Sequence, residues 1–219
     1  MKIKRKKIKG SPFIGVFGLT TERIGLFPRM DKKERKKIED FLEVEVIETT
    51  IGNSNLIGVL TAGNKKGFVV GEIVESDELR ALEQKGVNVK VVPGLNALGN
   101  LIALNDYGGI LSRLIPKETA REIKNFFKIP FIDAGIANTE IVGSCIACTN
   151  KGFIVNPGVT KKEMNAINKV LKVKGSASTV NYGDPFVSNG VIANSKAVFI
   201  GEQTSGYEII RIDDGLGGE

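Results

Sequence analysis

The chain has 219 residues, 42% of them hydrophobic, and a formal charge of +6, the composition of a globular protein large enough to bury a core. No run approaches the roughly 20 apolar residues that a membrane helix needs, and no apolar stretch follows the basic start as a signal peptide would require, so a cytoplasmic location is expected. Histidine is absent, which removes the commonest general base and metal ligand and lowers the expectation of catalysis.

Lys2, Lys4, Arg5, Lys6, Lys7 and Lys9 supply all of the net charge with no acid among the first ten residues, and residues 11 to 219 balance 25 basic against 25 acidic side chains. This basic segment reads either as a contact for RNA phosphates or as a solvated edge. Beyond it, Gly15-Val16-Phe17 leads through Thr20-Thr21-Glu22-Arg23 to Ile24-Gly25-Leu26-Phe27, two apolar runs about a polar turn, which predicts a β-hairpin. Asp31 can cap a helix with Ile38, Phe41 and Leu42 on one face, and Val44 to Ile47 reads as a third strand.

The same order then recurs. Gly58 to Leu60, the turn Gly63-Asn64-Lys65-Lys66 and Gly67 to Val70 precede a helix capped by Ser76 and a strand from Val87 to Val92. Gly99 to Ile102, Asn105-Asp106-Tyr107-Gly108 and Gly109 to Leu111 precede a helix opened by Pro116 and a strand from Pro130 to Ile136. Gly143 to Cys148, Thr149-Asn150-Lys151 and Gly152 to Val155 precede a helix with the capping box Thr160/Glu163 and a strand from Val173 to Val180. A fifth hairpin runs from Gly190 to Ile200. With Gly15, Gly58, Gly99, Gly143 and Gly190 as anchors the steps are 43, 41, 44 and 47, a true period.

Each unit is strand, strand, helix, strand, and cannot bury its apolar face alone, so the units must pack together. No capping repeat and no linker is visible, which predicts one closed α/β ring of five pseudosymmetric ββαβ repeats over residues 1–212. Ile3 to Ile8 could supply the strand that the fifth, shortened copy lacks. Residues 213–219, Gly-rich and acidic, are expected to form a disordered tail.

The two cysteines, Cys145 and Cys148, make a lone C-x-x-C in a segment that reads as a strand, where an i, i+3 pair points to opposite faces. A redox pair should open a helix, and a zinc site lacks two further soft ligands, so reduced structural thiols, at least one of them buried, are expected.

A five-unit ring of this kind resembles the pentein fold (a β/α-propeller), shared by guanidine-modifying enzymes with a cysteine nucleophile and a histidine, and by translation initiation factor 6. The motifs resemble the latter, archaeal and eukaryotic, family: Asn96-Ala97-Leu98-Gly99-Asn100 followed by Leu104-Asn105-Asp106-Tyr107, the Gly63 to Gly67 turn, Ile141-Val142-Gly143-Ser144, and Thr179-Val180-Asn181-Tyr182-Gly183. The basic N-terminal run and the short tail depart from the eukaryotic pattern.

This resemblance implies a non-enzymatic monomer without cofactor that binds the large ribosomal subunit at its inter-subunit face, at ribosomal protein L14 (uL14) and near the sarcin-ricin loop of the rRNA. Bound there, it would block joining of the small subunit, with a role in large-subunit biogenesis. Candidate contacts are the hairpin tips: Asn64, Lys65, Lys66, Asn105, Asp106, Tyr107, Asn150 and Lys151, each weighed against a plain solvated turn. The rival reading is a guanidine-modifying enzyme using Cys145 or Cys148.

Overall fold

A computed structural model describes residues 1–217. Its strands form five separate three-stranded sheets, one per unit. The first unit pairs β2 (Leu19–Thr20), β3 (Ile24–Phe27) and β4 (Glu45–Glu48), with helix α1 (Lys32–Leu42) between the last two. The second holds β5 (Thr61–Asn64), β6 (Gly67–Gly71), α2 (Ser76–Gln84) and β7 (Val89–Val92). The third holds β8 (Ile102–Leu104), β9 (Gly109–Leu111), α3 (Lys117–Phe127) and β10 (Phe131–Asp133), and the fourth β11 (Ile146–Cys148), β12 (Phe153–Val155), α4 (Lys161–Leu171) and β13 (Gly175–Ala177).

In these four units the first two strands are antiparallel, as a tight hairpin requires, and the third is parallel to the second, as a helical crossover requires. The registers Leu19↔Leu26, Thr61↔Val70, Ile102↔Leu111 and Ile146↔Val155 place equivalent residues opposite each other.

The fifth unit takes its third strand from the N-terminus, as the sequence allows. Its hairpin is β14 (Val191–Ala193) and β15 (Ala197–Gly201), and β1 (Lys2–Lys6) docks parallel to β15 with Lys2 opposite Ala197 and Lys6 opposite Gly201. The N-terminal strand thus completes the last sheet. Residues 213–217 of the predicted tail belong instead to a helix, α5 (Gly206–Gly217), with Ile212 and Leu216 fully buried against Ile154, Val198 and Ile200. Glu208, Ile212 and Leu216 recur at i, i+4 and share one face. Gly215 lies on this buried side, where a Cβ would meet Ser176 Oγ at 2.6 Å and Ile154 Cγ2 at 2.7 Å, so the glycine serves close helix–sheet approach rather than disorder. Asp213 accepts a hydrogen bond from the Met1 ammonium at 2.9 Å. Residues 218–219 of the predicted tail lie outside the described residues.

The long helices wedge between adjacent sheets, each with its own apolar cluster. Ile38 and Leu42 pack with Phe27 and Phe199, Leu82 with Leu26 and Phe68, and Ile123 and Phe127 with Val69 and Leu111. Ile167 and Leu171 pack with Ile110 and Phe153, so that the series closes on itself through α5. Contacts of β2 with β5, β5 with β8, β8 with β11, β11 with β14 and β14 with β2 complete the ring. The α/β ring of five units read from the sequence is the fold.

Ending the chain after Ile212 should therefore lower stability by about 2 to 3 kcal/mol, because Leu216 leaves a filled site between two sheets. A melting temperature unchanged on this truncation would show that α5 is not packed.

Candidate functional site

The glycine anchors do not begin strands. Ile14–Phe17, Ile57–Leu60, Leu98–Leu101 and Val142–Cys145 are single helical turns, and Val187–Gly190 is a 3-10 turn; the first strand of each hairpin starts only afterwards. Cys145 accordingly lies in a helical turn and only Cys148 in a strand. Gly15, Gly58, Gly99 and Gly143 line a central cavity of about 90 Å³, where the fifth equivalent position is Ser188 rather than Gly190.

The cavity wall offers little chemistry: of the two thiols only Cys148 lines it, and Cys145 lies behind it in the core. Burial pushes the Cys145 thiol up to about 11, and burial pushes that of Cys148, whose Sγ donates to the Leu104 carbonyl at 3.1 Å, up to about 12. Both are free thiols, protonated at neutral pH and therefore poor nucleophiles. Among the described residues no group of three or more His, Cys, Asp or Glu is placed to hold a metal ion.

At one mouth of this cavity the five hairpin tips meet. Thr21, Asn64, Asn105, Thr149 and Asn194 occupy equivalent positions and all are buried. Each folds its own turn: Asn105 Oδ1 accepts from the N–H groups of Tyr107 (2.9 Å) and Gly108 (3.1 Å), Asn194 Oδ1 from Lys196 (3.0 Å) and Ala197 (3.1 Å), and Asn64 Oδ1 from Lys66 (2.8 Å). The asparagines also reach their neighbours. Asn64 Nδ2 donates to the Asn105 carbonyl at 3.1 Å, Asn105 Nδ2 to the carbonyls of Thr149 and Leu171, both at 3.0 Å, and Asn194 Nδ2 to that of Leu42 at 2.8 Å. Leu42 and Leu171 are the last residues of α1 and α4, so the tips cap helix carbonyls that have no partner within the helix.

The next tip position extends the belt. Asp106 accepts from the Lys65 N–H at 2.9 Å and from Asn150 Nδ2 at 2.7 Å, while Asn150 Oδ1 accepts from the Asp106 N–H at 3.0 Å. On the other side Glu22 accepts from the Ser195 N–H at 3.1 Å and its hydroxyl at 2.7 Å.

The eight candidates thus divide. Asn64 and Asn105, read as contacts, turn inward and hold the ring, because a turn-forming amide beside a neighbouring tip satisfies more groups buried than exposed. Asp106 and Asn150 are half-buried in tip-to-tip bonds. Lys65, Lys66, Tyr107 and Lys151 project to solvent. Glu22, Thr149, Asn194 and Ser195 fall in the turns read from the sequence but are not among the eight candidates; their place in the period is the signal that singles them out.

The opposite face is built from the turns that follow each third strand and from helix N-termini. Asn53, Asn138, Asn181 and Tyr182 adopt positive φ there. Two carboxylates from helix first turns knit this face together. Glu78 accepts from the Thr50 hydroxyl and from the N–H groups of Gly52 (2.7 Å), Asn53 (2.9 Å) and Glu75 (2.9 Å), making Glu75 rather than Ser76 the helix cap. Glu208 accepts from Thr179 Oγ1 (2.7 Å) and from the N–H groups of Gly183 (2.9 Å), Tyr182 (3.2 Å) and Ser205 (2.7 Å).

For both carboxyls burial acts to raise the pKa, and the sum of hydrogen bonds to hydroxyl and backbone donors outweighs it, leaving each below the ordinary glutamate value. A lowered folded-state pKa stabilises the fold above the unfolded value of 4.5, and this contribution is lost as pH falls through the folded value. Glu78→Gln with Glu208→Gln should therefore melt lower than the parent at pH 7, and the gap should narrow as the pH drops well below 4.5. A gap that is constant with pH would mean that these carboxylates are not charged partners of the turns.

A sequence model of the eIF-6 family matches residues 3–215. Relatives include proteins named Translation initiation factor 6 from Methanocaldococcus jannaschii, 36% identical with 98% of each chain covered, and from Haloquadratum walsbyi, 34% identical over 97% of this chain and 96% of that one. A third, from Pyrococcus horikoshii, is 34% identical over 99% of both chains. Among solved structures, a DDAH from Pseudomonas aeruginosa complexed with citrulline gives a TM-score of 0.46 at 17% identity, covering 94% of this chain and 73% of that one. The N-terminal domain of ArgZ, an arginine dihydrolase from cyanobacteria, gives 0.47 at 14% identity, covering 75% and 68%. With a family match across nearly the whole ring and relatives of the same length above 30% identity, the chain belongs to the eIF-6 family.

Proposed function

We propose that the protein binds the large ribosomal subunit through its hairpin-tip face and blocks joining of the small subunit by steric exclusion, with a role in large-subunit biogenesis. Membership of a family whose relatives are named translation initiation factors carries this reading. No bond is made or broken in it and no cofactor takes part; guanidine chemistry of the cysteine–histidine kind is disfavoured because the chain has no histidine and the buried Cys145 and half-buried Cys148 thiols are both pushed up by burial. Following the resemblance, the partners are uL14 and rRNA near the sarcin-ricin loop.

The tip face suits docking because the belt of hydrogen bonds fixes its backbone before any partner arrives, so little conformational entropy is lost on binding. Lys65, Lys66 and Lys151 offer cations and Tyr107 an aromatic edge, the mixture that RNA phosphates and a protein segment require. A specific complex would bury on the order of 1,200 Å² or more.

Lys65→Ala is the test. Lys65 is exposed and contributes only its backbone N–H to the belt, so stability should change by less than about 0.5 kcal/mol. Sedimentation with purified large subunits should show binding weakened by about 1 to 2 kcal/mol and a smaller salt dependence. Native protein that sediments with neither subunit, or with the small subunit alone, would overturn the proposal.

A further inference from the structure

The charge of this protein is confined to one flank of the ring. Residues 1–43 carry 13 basic and 6 acidic side chains, whereas residues 44–219 carry 18 basic and 19 acidic. Closure of the ring brings two separate basic segments together, because β1 completes the fifth sheet beside α1 of the first unit. Lys2 pairs with Glu43 at 2.6 Å, Lys4 sits over the Phe41 ring, and Lys6 pairs with Glu34, so strand and helix run side by side in opposite directions. Lys37 lies on the helix surface between Glu34 and Phe41, and Lys33 one turn before it on the same side.

Several of these cations have no ion pair among the described residues: Lys4, Lys9, Arg29, Lys32, Lys33 and Lys37, all of them exposed. Where β1 ends against the start of α1, Lys9 and Arg29, with Lys7 paired to Glu202, also line a cleft of about 180 Å³ whose wall includes the helix-capping Asp31 and the Lys6-paired Glu34. We propose that this flank, formed by β1, the segment 28–31 and α1, is a second docking surface, for the phosphodiester backbone of an RNA duplex.

Charge complementarity names the occupant. The unpaired cations spread along an 11-residue helix, about 16 Å long, and the strand beside it, a row suited to successive phosphates. A protein partner needs apolar anchors, and the large apolar residues that the protein exposes (among them Phe13, Leu56, Leu114, Tyr182, Tyr207 and Ile210) all lie outside these segments. The basic edge strand also discourages sheet-to-sheet aggregation, a role that needs charge on β1 but none on α1. The end of α1 meets the tip belt, where Asn194 Nδ2 donates to the Leu42 carbonyl, but the unpaired cations of the flank are not tip residues and duplex binding is measured without the ribosomal subunit, so the flank's test does not depend on the reading of the tips.

The test is fluorescence anisotropy of the full chain with a labelled RNA duplex of about 20 base pairs and arbitrary sequence, titrated at several salt concentrations. Lys4→Gln/Lys33→Gln/Lys37→Gln should weaken binding about tenfold at low salt and reduce the slope of log K against log salt by roughly 2 to 3. Lys161→Gln/Lys162→Gln/Lys169→Gln, exposed on α4, removes the same formal charge and should cost less than about twofold. The pair Lys9→Gln/Arg29→Gln, from the cleft, repeats the test should the first variant melt lower than the parent. Equal losses for flank and control variants, or no duplex binding by the native chain, would overturn the proposal. So would polyglutamate or phosphatidylserine vesicles bound as tightly as the duplex, which would name an acidic protein or a membrane instead.

Discussion

Gly58→Ala should destabilise the protein by about 3 kcal/mol or more, lowering the melting temperature by about 10 °C, and should impair assembly of the ring itself. A Cβ on Gly58 would stand 1.8 Å from the carbonyl oxygen of Gly15 and 2.9 Å from that of Gly18. Both obstacles are backbone, so no rotamer change relieves them. The neighbours are bound in the same way: an added Cβ would stand 1.9 Å from the Gly58 oxygen at Gly99, 2.0 Å from the Gly99 oxygen at Gly143, and 1.9 Å from the Ser188 oxygen at Gly15. In an open stack one turn could slide away from the next. A closed ring can yield only by moving all five turns or by parting at a seam. Ser188→Ala is the control, because that position already carries a Cβ, and it should cost less than about 1 kcal/mol. If Gly58→Ala melts within about 2 °C of the parent, the inner turns are not the close-packed hub described here.

That hub shows where the sequence was legible and where it was not. The period was visible because four units share a glycine at the point of closest approach, and glycine is the residue that such an approach selects. The fifth unit breaks the rule at Ser188, and Gly190 two residues later drew the anchor out of register. Its turn is 3-10 rather than α, the one departure among the five, where the one side chain stands. The turns themselves were read as strands because four apolar residues such as Ile57 to Leu60 are too few to show a helical period. Helices α1 to α4 were recovered because apolar residues repeat over nine to eleven positions, long enough for a period to show. The last helix was missed for a different reason. Gly215 and Gly217 together with Asp213 and Asp214 have the composition of a tail, and only the groove between the fourth and fifth sheets gives Ile212 and Leu216 somewhere to go.

The candidate site was half legible on the same grounds. Position in the period put the tips on one face correctly, but not whether a given amide points to solvent or to the next tip, since that depends on a partner about 40 residues away in sequence. Asn64 and Lys65 are adjacent and look alike as turn residues; one is buried against Asn105 and the other is free at its side chain. Cations could not be buried in such a belt without a partner, which is why the lysines stayed outside.

Asn105→Ala should accordingly lower stability by about 3 kcal/mol, far more than an exposed turn residue would, and with it the melting temperature by about 6 to 12 °C. The substitution removes one side chain and strands four backbone groups. The carbonyls of Thr149 and Leu171 lose their donor, and the N–H groups of Tyr107 and Gly108 lose their acceptor, in a site where Asn105 is only 4% exposed. Leu171 ends α4, so its carbonyl has no helical partner to fall back on. An alanine leaves a polar gap that water could reach only by loosening the tips, and the Lys65–Asp106–Asn150 chain would loosen with them. Binding to the large subunit should then fall in parallel with the melting temperature, in contrast to Lys65→Ala, where binding falls alone. Melting curves beside sedimentation titrations separate the two variants. If Asn105→Ala keeps its melting temperature and still loses binding, the amide meets the partner directly, and its inward role in the belt is wrong.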